Sequence, residues 1–123
     1  MARTRNAAGK LRKIIAQWPE TSEKLSHGSP TWWGGKKTFA TLADNHHGDG
    51  RQAVWIKSTA DAQEDLVAMN DELFFIPPYV GPSGWIGVRL DLKASDWTMV
   101  ESLLEEGYRM VAPKRALRQL DGE

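Results

Sequence analysis

The chain has 123 residues, 41% of them hydrophobic and 26% charged, with a formal net charge of zero; that size fits one domain able to bury a core unaided. With no cysteine there can be no disulfide and no thiolate chemistry, and no apolar run approaches the ~18 residues a membrane span needs. The opening Met-Ala-Arg-Thr-Arg-Asn carries charge with no apolar region behind it, so it is not read as a secretory signal, and a cytoplasmic location is expected.

The zero balance hides an uneven distribution. Residues 1–60 carry ten Lys/Arg against four Asp/Glu, residues 61–106 carry two against ten, and residues 107–120 carry four basic residues and no acid. Two basic blocks flank an acidic one, a pattern that points towards an anionic partner.

In chain order, Leu11, Ile14, Ile15 and Trp18 fall at i, i+3, i+4 and i+7, which predicts an amphipathic helix over residues 5–17, ended by Pro19. Residues 23–26 form a short strand before the stretch that organises the chain, Ser29 to Leu42. There Pro30 favours extended backbone and Gly34-Gly35 signals a turn, so two strands meet at a hairpin with Lys36 and Lys37 at its tip. Strand neighbours point to opposite faces, so one of Trp32 and Trp33 faces the core. The other lies on the surface or under a second packed layer; an exposed indole beside two ammonium groups suits a flat anionic ligand such as a nucleic acid. Residues 38–44 continue as a strand, with Phe39, Thr41 and Ala43 on one side and Ala40 and Leu42 on the other. A polar loop over 44–50 leads to a strand over 51–58. A short helix follows to residue 70, with Ala62, Leu66 and Met69 inward. After a brief strand at 73–76 and a turn at 81–84, residues 85–92 alternate, with Ile86, Val88, Leu90 and Leu92 facing one way. Ser95 or Asp96 caps a helix that runs to 106, with Trp97, Val100 and Leu104 inward and Gly107 closing it. Residues 108–112 are extended, and Pro113 opens a short basic helix to 120. The sum is an α+β fold, one antiparallel β-sheet with helices packed on one face.

An ordered set of segments runs through most of the chain: Gly28-Ser29-Pro30-Thr31-Trp32, Gly35 to Ala40, Val54-Trp55-Ile56-Lys57, Trp85-Ile86-Gly87-Val88, Asp96-Trp97, and Leu103 to Lys114. In these it resembles the MmcQ/YjbR family of small bacterial proteins. It departs from the pattern at Trp33, in the histidine-bearing loop 44–50, and at Gly107, where the family commonly has serine. The resemblance implies a frataxin-like (CyaY-like) fold, a curved antiparallel sheet backed by the first and third helices. It also implies DNA binding through two hairpin wings, which here would be loops 44–50 and 77–84.

Other chemistries are weaker. Gly35-Lys36-Lys37-Thr38 mimics the end of a P-loop, but Pro30 stands where the earlier glycine belongs. An EF-hand needs oxygen ligands where His46 and Gly48 stand. His46, His47 and Asp49, with His27, offer at most an adventitious transition-metal site, and a solvated loop is the better reading. An iron role of the frataxin kind relies on an acidic first helix, and this one is basic. No nucleophile elbow, oriented histidine or paired carboxylates stand out, so no enzymatic activity and no cofactor are expected. The expected function is DNA binding, led by backbone contacts on a basic hairpin face. Its candidate residues are Trp32, Trp33, Lys36, Lys37, Arg51, Lys57, Lys114 and Arg115. A monomer is the favoured state. The alternative is a binding or adaptor module that uses the concave sheet face for a protein segment or a small molecule.

Overall fold

The computed structural model describes residues 3–123. The apolar stripe at the start forms α1 (Ala7–Ile15), with Leu11 and Ile15 on its buried side and Trp18 buried just beyond it. Six strands follow: β1 (Thr21–Ser26), β2 (Ser29–Gly34), β3 (Lys37–Asp44), β4 (Gln52–Ile56), β5 (Phe74–Phe75) and β6 (Ile86–Arg89). Helix α2 (Ala60–Met69) lies between β4 and β5, and α3 (Trp97–Val111) and α4 (Lys114–Leu120) follow β6. All strand pairs are antiparallel, in the order β1-β2-β3-β4-β6-β5. The expected α+β architecture is therefore the observed one.

One sheet face carries the main core. Phe39, Leu42, Val54, Ile56, Ile86 and Val88 meet Leu11 and Ile15 of α1 and Val100, Leu104 and Tyr108 of α3. Trp18 stacks on Tyr108 with ring centres 5.3 Å apart, and the edge of Phe39 closes the trio at 5.8 Å from Tyr108. The Tyr108 hydroxyl donates to the Pro19 carbonyl at 2.6 Å, and burial of that phenol pushes its pKa up. The opposite face holds a small cluster of Ala43, Trp55 and Trp85, with Phe75 and Val80 packed against it.

A β-bulge corrects the alternation expected for β3. Trp32 pairs with Ala40 but Trp33 pairs with Thr38, which leaves Phe39 as an extra residue. Phe39 and Ala40 thus both join the main core, while Thr38 and Thr41 line the other face. Three further expectations change. Helix α3 continues to Val111, so residues 108–111 are helical rather than extended, and Gly107 sits inside the helix. Tyr108, four residues after Leu104, repays the continuation by filling the core. Met69 of α2 is 65% exposed, and that helix has no fully buried residue. The β5 and β6 ladders are shorter than the apolar patterns that mark them.

At Gly107, α3 packs tightly on the end of β4 and on Lys57 beyond it. A Cβ there would lie 2.9 Å from the Lys57 carbonyl oxygen and 3.1 Å from the Ile56 side chain. Gly107→Ala should therefore destabilise by about 1–3 kcal/mol through overpacking, although alanine is the better helix former by about 1 kcal/mol. Urea unfolding checks the sign, and a stabilised variant would show that the helix is free to lift.

Candidate nucleic-acid interface and open-face groove

The β2–β3 turn sits at one end of the sheet, against the start of α4. A Cβ on Gly35, whose φ is +64°, would lie 2.9 Å from the Pro113 ring, and the Gly35 N–H donates to the Glu20 carbonyl at 2.8 Å. This packing brings exposed Lys36 and Lys37 to the same end as exposed Lys114. Lys57, half-buried, leaves the end of β4 there, its N–H bonded to the Phe39 carbonyl at 2.9 Å. Among the described residues none of these four lysines is in an ion pair.

The other candidates divide. Trp33 is half-buried on the open sheet face, with the Lys24 ammonium 5.4 Å from its ring centre. Trp32 is not available: it is 2% exposed in the main core, and its indole N–H donates to Glu23. Arg51 belongs to the opposite end of the sheet, where its guanidinium lies over the Phe75 ring at 4.2 Å. Arg115 reaches the right end but makes a two-pronged pair with Glu20, both contacts 2.6 Å. That pair holds the Glu20 carboxyl below its ordinary range. Lys24, which no sequence pattern singled out, adds a cation beside the Trp33 ring. It pairs with Thr31, two residues along β2 from Trp33 and so on the same face, a relation that only the strand register reveals.

The two loops read as wings do not project separately. The ring of His47 shares a hydrogen bond of 3.0 Å with the Tyr79 hydroxyl, which ties loop 44–50 to loop 77–84. Below them the open face holds a groove of about 650 Å³. Hydroxyls of Ser29, Thr31, Thr38 and Thr41 form part of its floor, and Trp55, Trp85, His46, His47 and Tyr79 form an aromatic wall. His27 lines it too, so all three histidines of the chain meet there. Trp55 is 6% exposed, and its buried indole nitrogen has no hydrogen-bond partner. Leaving such a donor unpaired costs about 1–3 kcal/mol. His27, Asn45, His47 and Tyr79, all at or beside the rim, adopt left-handed backbone with φ between 50° and 65°. Strain of that kind persists only where surrounding contacts enforce it. Among the described residues no group of three His, Asp or Glu is arranged to hold a metal ion, and Asp49 instead accepts the Arg51 N–H at 2.9 Å.

These features define a two-layer α+β protein with helices on one sheet face and the other open. A family model described as YjbR matches residues 16–110, more than three quarters of the chain, and the chain belongs to the YjbR family. Its fold is similar to the crystal structure of the Deinococcus radiodurans protein DR2400, described with the domain DUF419. The TM-score is 0.73 at 15% identity, covering 93% of this chain and 87% of that one. No curated protein matches the sequence. No helix among the described residues is long and apolar enough to cross a membrane.

Glu23 holds Trp32 in place while pairing with Arg12 of α1 through two contacts of 2.7 Å. The Arg12 contact keeps the Glu23 carboxyl below its ordinary range, with burial opposing. A depressed carboxyl contributes stability that is full above its unfolded pKa and is lost as pH falls through the folded one. Glu23→Gln should lower stability by about 1 kcal/mol at neutral pH and flatten its loss on acidification below about pH 4.3. Thermal melts of the two proteins across an acid series check both effects.

Proposed function

We propose that this YjbR protein binds nucleic acid without acting on it chemically, through the lysine-bearing end of its sheet. The observation that carries the reading is the gathering of Lys36, Lys37, Lys57 and Lys114, all outside ion pairs, at the end of the sheet where the Trp33 strand finishes. Ammonium groups suit phosphate oxygens, and an indole accepts any base by stacking. Single strands fit this surface better than duplex. The loops that would have gripped a duplex are tied together by His47 and Tyr79, and loop 77–84 carries no positive charge. The lysines suit phosphates rather than base edges, so affinity is led by backbone contacts and has little sequence preference. A cytoplasmic monomer goes with this reading.

Binding of a short single-stranded oligonucleotide should weaken as salt rises, with log K against log salt sloping at about −0.7 per phosphate contact, or near −3 for four lysines. The Lys36→Glu/Lys37→Glu double variant should lose most of that affinity, whereas undiminished binding would remove the site. Trp33→Ala should cost about 1–3 kcal/mol if a base stacks on the indole. Glu20→Gln, which releases Arg115 from its carboxylate, should tighten binding and steepen the salt slope. Binding that ignores salt would instead favour an adaptor that holds a protein segment on the sheet face.

A further inference from the structure

We infer that the open-face groove is a second binding site, which takes an uncharged, planar nitrogen heterocycle of nucleobase size. The inference does not depend on phosphate contacts, because the free lysines lie at the far end of the sheet from the loops that rim the groove.

Three observations converge on this ligand chemistry. First, among the described residues no Lys, Arg, Asp or Glu lines the groove, so no permanently charged side chain is there to neutralise a charged ligand. Its 650 Å³ falls among small-molecule sites rather than surface dimples. Second, the lining pairs ring faces with hydroxyls. Thr41 lies directly beside Trp55 in the sheet and shares a 3.2 Å hydrogen bond with Thr31. Thr31 gives its one hydrogen to the Ser29 carbonyl and receives that of Thr41, so this pair offers acceptor lone pairs to the donor groups of a heterocycle. Third, the site already holds a heterocycle of its own. The His46 imidazole packs edge-on against Trp55 at 4.8 Å and against His47 at 4.0 Å, while the Trp55 indole N–H is buried without an acceptor. A ligand ring with an acceptor nitrogen or carbonyl, entering where His46 rests, would satisfy that donor. The His47–Tyr79 contact would then close over it.

The same chemistry is present in a free nucleoside and in a base of a longer strand, and indole resonances separate the two. The six tryptophans give distinct indole N–H signals in a nitrogen–proton correlation spectrum, and Trp55→Phe assigns the one that matters. Adenosine, guanosine, cytidine and uridine, which lack phosphate, are each titrated to about 5 mM, the range where weak sites saturate. At least one nucleoside should shift the Trp55 signal, at the same midpoint in low and high salt. Thr41→Val, which keeps the side-chain shape but removes the hydroxyl, should raise that midpoint about tenfold; it also keeps the test open should Trp55→Phe fold poorly. A Trp55 signal unmoved by all four nucleosides overturns the inference. So does an unchanged midpoint in Thr41→Val, or an equal Trp55 shift with the uncharged sugar maltotriose. A shift of Trp33 alone, produced by an oligonucleotide but by no nucleoside, likewise overturns it while leaving the phosphate-binding surface intact.

Discussion

One surplus residue in β3 sets the layout of the whole molecule. Because Phe39 is bulged out of register, it points to the same side as Ala40 and packs against the stacked pair of Trp18 and Tyr108. That aromatic trio joins the end of α1, the middle of the sheet and the second half of α3, at contacts where ring geometry as well as burial contributes. The same shift leaves Thr38 and Thr41 on the open side, three residues apart, with no bulky side chain between them. A regular strand would have placed Phe39 on the face of Thr41, filling the groove and leaving the core short of a ring.

Much of this was legible in the sequence. The stripe in α1, the alternation around β6 and the hairpin at Gly34-Gly35 are local patterns, and local patterns decide elements. The bulge was not legible, because a strand that reads Lys-Thr-Phe-Ala-Thr-Leu alternates acceptably in either register. Gly107 misled for the opposite reason. A glycine at the end of an apolar helical run reads as a stop, yet Tyr108 buried in the core outweighs its poor helix propensity. Of the candidate interface, the lysines of the hairpin tip were visible as neighbours in sequence, and Lys114 was placed with them by the packing of Gly35 on Pro113. Arg51 and Arg115 could not be sorted from sequence alone, since a cation is freed or silenced by what happens to fold against it. The groove was the least visible feature: its walls come from five separate segments, and its aromatic residues are spaced like ordinary core.

Charge pairing explains how a chain of zero net charge still presents a basic end. Arg12 is tied to Glu23, Arg89 to Asp91, Arg109 to Glu105 and Asp121, and Arg115 to Glu20, with Arg3 bonded to Asp44. Asp91, buried, is held below its ordinary range by Arg89 and the Gln52 N–H against the pull of desolvation. Five of the eight arginines are thus engaged in ion pairs, a role their planar, forked head suits. Several lysines at the hairpin end are left to solvent.

The contact between Gly35 and Pro113 has a consequence for biosynthesis. The hairpin carrying Lys36 and Lys37 is complete early, but the turn rests on the Pro113 ring, and the nearby Pro19 carbonyl waits for the Tyr108 hydroxyl. During translation at about 5–20 residues per second, those partners emerge several seconds after the hairpin itself. Until then the early half of the sheet lacks its lid of α3 and α4, with Phe39 and Trp18 open to water. The nascent chain is therefore at its most adhesive just before the Tyr108 end of α3 leaves the ribosome.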